Sequence, residues 1–132
     1  YGLFQNKKFV VPEIIEMIKK KKINLKNLHA RRDFIYIEDV IDAFIKAIRK
    51  KTNFLILNIG SGKSVSIKEL AENISKVYGK KIPIKGGRLF RKNDYKDVFA
   101  SINKAKKKLN WTPTFDLFDG LNDLKKKKLN EK

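Results

Sequence analysis

Apolar residues recur along this chain in two rhythms, one close to the helical turn and one of two residues. From Pro12 the set Ile14, Ile15, Met17 and Ile18 falls on one helical face. Pro12 suits a first-turn position, and Glu13 and Glu16 sit near the positive end of the helix dipole. Ile23-Asn24-Leu25 alternates as a strand does, and Phe34 to Ile37 predicts a second strand. Glu38 and Asp39 then open a helix with Val40, Ile41, Phe44, Ile45 and Ile48 at helical spacing, ending on the cations Arg49-Lys50-Lys51. The nearly continuous apolar run Phe54 to Ile59 predicts a strand buried on both faces of a parallel sheet. Ser66-Ile67-Lys68-Glu69 reads as a capping box that starts a helix carrying Ile67, Leu70, Ala71, Ile74 and Val77 and stopping at Gly79.

Beyond it lie a short extended segment at Ile82-Pro83-Ile84, a flexible break at Gly86-Gly87 and a polar loop from Arg88 to Asp97. Val98-Phe99-Ala100 is brief and apolar. Ser101 or Asn103 can cap a helix running to about Leu109, which Trp111-Thr112-Pro113 terminates. Asp116 caps a last helix with Leu117, Phe118, Leu121 and Leu124. About five helices alternating with short strands indicate an α/β domain, with the strand at about 54–59 belonging to a larger parallel sheet.

Composition narrows the function. The 132 residues make one domain, 1–132, able to bury a core yet short for an enzyme carrying its own cofactor domain. The hydrophobic content of 42% is globular, and the absence of cysteine excludes disulfides and thiolate metal sites. A single histidine, His29, builds no zinc site. No apolar run approaches a bilayer span, and YGLFQNKK lacks a signal-peptide core, so a cytoplasmic protein with no membrane partner is the expectation. A net charge of +18 favours phosphorylated ligands or polyanions at long range. Most of the excess is lysine late in helical patterns, at Lys19 to Lys22, Lys106 to Lys108 and Lys125 to Lys128, where it solvates the surface and complements the dipole. The alternative is a basic nonenzymatic nucleic-acid-binding module, supported by charge alone.

One stretch suggests a phosphate loop. Asn58 to Ser64 reads NIGSGKS, whose end matches a Walker A loop, GxxxxGK followed by Ser or Thr. The opening glycine of that loop would stand at position 57, which is Leu57. Gly60 leaves the loop too short to encircle a phosphate chain, so the glycines read as the turn between a strand and a capped helix.

The segment RRDFIYIEDV, followed some twenty residues on by FLILNIGSGKSVSIKEL, resembles the extended short-chain dehydrogenase/reductase family, in its NAD-dependent epimerase/dehydratase, nucleotide-sugar group. The resemblance covers essentially the whole chain and corresponds to the C-terminal, substrate-binding region of such Rossmann-type enzymes. Tyr1-Gly2 is similar to the Tyr-Gly of the family's Asn-x-Tyr-Gly-Pro segment, and Val11-Pro12 to its Val/Ile-Pro. Arg32 to Val40 resembles its Arg-Asp-Phe/Tyr-Ile-x-Val-x-Asp-Val run, Asn58 to Gly62 its Asn-Ile-Gly-Ser/Thr-Gly turn, and Lys104 to Pro113 its Lys-Ala-x-x-x-Leu-x-Trp-x-Pro ending. Departures are Leu3 for Pro, Lys26 to His29 where Gly-Asp-Gly is usual, and Lys92 and Asn93 in the Arg-Pro-Gly-Asp segment.

The resemblance implies a nucleotide-sugar ligand. Arg32 would contact the nucleoside diphosphate, Phe34 would line the nucleotide pocket, Arg91 would bind the pyrophosphate and Asp94 the ribose hydroxyls. The residues by themselves also allow Arg32 to form a surface ion pair with Asp33, and Arg91 to be one more cation in a polar loop. The family binds NAD or NADP on an N-terminal Rossmann fold through GxxGxxG and reacts through a Tyr-x-x-x-Lys pair. Neither motif is present, since Tyr36, Tyr78 and Tyr95 are not followed by Lys at the fourth position. The chain is therefore expected to be the substrate half of an enzyme whose cofactor domain lies outside it, to bind no cofactor alone, to carry no catalytic residue and to be inactive by itself, the complete enzyme being a homodimer.

Overall fold

The computed structural model describes residues 1–50, 54–88 and 95–130. Five helices dominate: α1 (Val10–Lys19), α2 (Ile37–Arg49), α3 (Ile67–Val77), α4 (Asn103–Leu109) and α5 (Leu117–Asn130). The strands are short: β1 (Ile23–Leu25), β2 (Arg31–Arg32), β3 (Val65–Ser66), β4 (Ile84–Gly86) and β5 (Asp97–Val98). β1 and β4 pair in parallel, Ile23 opposite Ile84 and Leu25 opposite Gly86. In the second sheet β2 lies between antiparallel β3 and parallel β5.

Two apolar cores result. The larger gathers Val11, Ile14, Ile15 and Ile18 of α1, Leu70, Ala71 and Ile74 of α3, Leu121 and Leu124 of α5, and the ring of Tyr36. These are the i, i+3, i+4 positions of each helix, so the periodicity read from the chain selects the buried faces. The smaller core joins Ala43 of α2 to Ile102, Ala105, Leu109 and Trp111.

Local rules account for most boundaries. α3 starts on a complete capping box: Glu69 N donates to Ser66 Oγ at 3.1 Å and Ser66 N to Glu69 Oε2 at 2.7 Å. Past the helix, Gly79 turns with φ +63°, where a side chain would strain. α5 is opened by Asp116, whose Oδ1 accepts from Asp119 N at 2.8 Å. α4 ends on Asn110, which takes the left-handed conformation. Its start differs from expectation, because the N-cap is Ile102 with no side-chain cap.

Two sequence expectations are corrected. Phe34 to Tyr36 form no strand; β2 lies just upstream at Arg31–Arg32, and Ile37 already belongs to α2. Tyr36 instead points into the larger core, where its hydroxyl donates to Asp123 Oδ2 at 2.7 Å. Residues 54–59, whose expected sheet is larger than this chain, pair with no other described segment. They alternate between exposed (Phe54 80%, Ile56 67%) and half-buried (Leu55, Leu57, Ile59), the period of an extended chain covered on one side. Gly86-Gly87 is paired rather than a free break: Gly86 lies against Leu25 so closely that an added Cβ would meet the Leu25 carbonyl, and Gly87 N donates to that oxygen at 3.3 Å.

Asp39, fully buried at the start of α2, fastens that helix to the chain after α4. Its Oδ1 accepts from Thr114 N at 2.7 Å and Thr114 Oγ1 at 2.8 Å, its Oδ2 from Phe115 N at 3.2 Å, and its carbonyl from Trp111 Nε1 at 3.1 Å. Asp39→Ala keeps the Trp111 bond to the backbone carbonyl but removes the acceptor shared by Thr114 N, Thr114 Oγ1 and Phe115 N, and is expected to cost about 2 kcal/mol, read from urea denaturation. The backbone hydrogen bond from Ser66, followed by that of its side chain, holds the Glu69 carboxyl below its ordinary 4.5. The unfolded chain therefore binds the extra proton first. This contribution is complete above about pH 4.5 and is lost as pH falls through the lower folded value. Glu69→Gln should flatten the stability profile in that acid window, measured by melts from pH 3 to 7.

Candidate functional site

Arg31, Arg32 and Asp33 are consecutive, and each is committed to a different part of the chain. Arg31 is spent on structure: its Nη2 donates to the Ser64 carbonyl at 2.7 Å, its Nε to Ser64 Oγ at 3.2 Å, and its Nη1 to Glu69 Oε2 at 3.2 Å, with Asp97 Oδ2 at 3.6 Å. Arg32 turns the other way, and its Nη1 donates to the carbonyls of Arg31 (2.7 Å) and Tyr95 (2.8 Å). Asp33 reaches across to the glycine turn. Its Oδ1 accepts from Ser61 N at 2.8 Å, and its Oδ2 from Gly62 N at 3.2 Å and Ala100 N at 3.0 Å.

These commitments enclose a cleft of about 560 Å³. One wall is Arg32, Asp33 and Ile35, a second Leu57 to Gly60, and a third Val98 to Ser101. Arg32 contributes the positive charge and Asn58 an amide, while Ile35, Leu57 and the exposed ring of Phe99 make apolar surface. A cation beside apolar walls suits an anionic ligand with a flat or hydrophobic part.

The residues selected from sequence separate here. Arg32 lines the cleft, whereas Phe34 packs against the larger core. Arg91 and Asp94 lie outside the described residues, although Tyr95, directly after them, is bonded to Arg32. The ion pair between Arg32 and Asp33 that the sequence allowed is replaced, on the Asp33 side, by three backbone amides. His29 is an exposed turn residue whose Nε2 accepts from Arg88 Nε at 3.2 Å. Among the described residues no group of three His, Cys, Asp or Glu is placed to hold a metal ion. No described helix is long and apolar enough to cross a membrane.

Sequence reasoning missed Asp33 and Asp39. The only signal was a carboxylate beside a cation and another at a helix start, both of which have ordinary surface uses. A second polar cluster lies away from the cleft, where Lys127 Nζ bridges Glu38 at 2.6 Å and Asp123 at 3.0 Å. Burial, with the Asp123 hydrogen bond second, pushes the Tyr36 hydroxyl up to about 12, so Tyr36 stays a neutral donor there.

A protein-family model described as GDP-mannose 4,6 dehydratase matches residues 1–124. The chain belongs to that family, the epimerase/dehydratase group of extended short-chain dehydrogenases/reductases. The UDP-glucuronate 4-epimerase of Thermodesulfobacterium geofontis is 38% identical over 91 residues, 68% of this chain and 28% of that protein. The crystal structure of UDP-glucose 4-epimerase from Thermotoga maritima, with UDP-glucose, is similar at a TM-score of 0.84 and 26% identity, over 98% of this chain and 44% of that one. UDP-glucuronic acid 4-epimerase from Bacillus cereus, in complex with UDP-glucuronic acid and NAD, gives 0.82 and 28%, over 98% and 43%. The chain thus spans well under half the length of these relatives. The mixed α/β fold with five helices is that of their C-terminal part.

The glycine turn of this family member has no room to spare. A Cβ on Gly60 would stand 2.5 Å from Ala100 Cβ and 2.6 Å from Asp33 Oδ2. Gly60→Ala must push apart the strap that Asp33 closes. A loss of about 1 to 3 kcal/mol is expected from thermal denaturation, accompanied by a change in Phe99 accessibility to hydrogen exchange at its amide.

Proposed function

We propose that the chain is the nucleotide-sugar-binding portion of an NAD(P)-dependent epimerase, dehydratase or reductase, holding the nucleoside diphosphate of its substrate through Arg32. The observation that carries this reading is the 2.8 Å hydrogen bond from Arg32 Nη1 to the Tyr95 carbonyl. It joins the Arg-Asp-Phe segment to the residue that follows Arg91 and Asp94, two segments far apart in sequence. Pairing of Arg31 with Asp97 and Arg32 with Val98 supports the same convergence. So do the sugar nucleotides held by the solved relatives.

A guanidinium fork matches phosphate oxygens in paired hydrogen bonds and remains charged at every working pH. Arg91 supplies a second cation to the diphosphate, Asp94 accepts from the ribose hydroxyls, and Phe34 supports the strand from behind. Binding energy gained at this remote end of the substrate holds the sugar where a reaction can act on it. The reaction itself, with NAD or NADP, belongs to polypeptide outside these residues. Within the chain, the glycine turn after residues 54–59 offers the cofactor no phosphate cradle, because its Ser61 and Gly62 amides already serve Asp33.

The complete enzyme is a cytoplasmic homodimer in this reading, and the α2 face is where its parent sheet packs. α2 buries only Asp39 and Ala43, leaving Phe44 (65%) and Ile48 (83%) exposed, and Leu55, Leu57 and Ile59 of the extended segment line a shared apolar cavity with Ala43, Phe44 and Ala47. Exposed apolar side chains on α2 and on the outer face of residues 54–59 have the character of a sheet edge awaiting a neighbour.

Titration of the chain with UDP, dTDP and GDP by calorimetry tests the clamp. Arg32→Ala is expected to weaken the preferred nucleotide at least about tenfold, with Arg32→Lys in between because it keeps charge without the fork. Unchanged affinity in Arg32→Ala rejects the assignment. Duplex DNA bound tightly at low salt and lost steeply with added salt would favour the basic nucleic-acid module instead.

A further inference from the structure

The nitrogens of Ser61, Gly62 and Ala100 come from two different segments and converge on one point at the floor of the cleft. Backbone N–H groups gathered in this way form an anion-binding concavity, because several partial positive charges meet with no countercharge from the backbone. In this chain the anion is built in. The Asp33 carboxylate takes all three donors, at 2.8, 3.2 and 3.0 Å. Gly60 brings the turn so near that a side chain there would strike the carboxylate.

We infer that Asp33 is an internal anion that fills the amide concavity of Ser61, Gly62 and Ala100, holding two walls of the cleft to the strand of Arg32 and denying those amides to ligand phosphate. The diphosphate is left with Arg32 as its seat. Asp33 acts through the positions of others, so it is a positioning residue. The first half of the inference stands on the hydrogen-bond geometry alone; the second, which concerns where a diphosphate goes, rests on the function proposed above.

The physical reasoning is competitive. A carboxylate accepting three N–H bonds is held by charge-assisted contacts that a phosphate would otherwise make. Its negative charge also opposes a second anion at the same point. Of residues 58–64, the amides of Ser61 and Gly62 are thus already occupied by a carboxylate of the chain itself.

Chemical rescue separates this role from mere packing. Asp33→Ala opens a space lined by the three N–H groups, so its melting temperature should fall by roughly 5 °C or more. Millimolar formate should then raise it further than formate raises the unaltered protein, and inorganic phosphate should do the same. Asp33→Asn keeps the space filled but turns an NH2 group toward N–H donors, so it should be destabilised and unresponsive to either anion. Should Asp33→Ala lack a cooperative melt, recovery of one on adding formate is the supporting outcome and failure to recover it the opposing one. Equal responses of all three proteins to formate and phosphate would reduce the effect to screening of a highly cationic chain and overturn the inference.

The nucleotide arm decides the second half. UDP affinity of Asp33→Ala should rise about tenfold, because three N–H donors are opened to phosphate and one opposing charge is gone, and should fall back as formate refills the amides. Unaltered or weakened UDP affinity in Asp33→Ala, together with rescue of its melting temperature, overturns the directing role while leaving the filled concavity in place. If the unaltered protein binds no nucleotide, the proposed function fails, and the melting data still decide whether Asp33 fills the concavity.

Discussion

The pairing of β2 with its two neighbours is the constraint on which the cleft depends. β2 is only two residues long, yet Arg31 and Arg32 meet Ser66 and Val65 on one side and Asp97 and Val98 on the other. A ladder this short contributes little by itself, and side chains extend it. Arg31 clips β3 through both atoms of Ser64 and through Glu69, and Asp33 clips the glycine turn and Ala100. Charge-assisted bonds to backbone groups thus replace the sheet that two residues cannot supply. The consequence is that three segments, separated by some thirty residues each, present one surface around Arg32.

The same logic appears at Asp39, with a different result. There the carboxylate is buried and its partners belong to the Trp111 to Phe115 connection, so it anchors α2 to the smaller core. Asp33 and Asp39 stand six positions apart and bracket the passage from β2 into α2. One shapes a cleft and the other stabilises a helix, because one faces an open floor and the other a closed interior. Burying a carboxylate is costly unless its lone pairs are filled, and in both cases backbone N–H groups fill them.

The larger core needs no such devices. α1, α3 and α5 bury their apolar stripes against one another; Lys19 to Lys22 end α1 in solvent, whereas late in α5 Lys125 donates to the Val77 carbonyl and Lys127 bridges Glu38 and Asp123. α2 departs from this arrangement. Its apolar residues follow the helical period as faithfully as those of α3, yet most face outward. Periodicity states that a face is to be buried and is silent on whether the burying partner lies within the chain.

What the chain settled on its own is whatever depends on neighbours a few residues away. Helical period, the Ser66 and Asp116 caps and the turn at Gly79 were legible because their partners lie within one or two turns. The family was legible because its motifs keep their order. Arg32 could be singled out by motif, but its bond to Tyr95 spans 63 positions and no local rule predicts it. Asp33 and Asp39 were illegible for the same reason: a carboxylate acquires its role from the amides it meets, and those arrive only when distant segments fold together. The apolar run 54–59 marks the boundary between the two kinds of information. Its composition announced a strand, and tertiary structure alone decided that no described segment pairs with it, because strand identity resides in hydrogen bonds made to another segment.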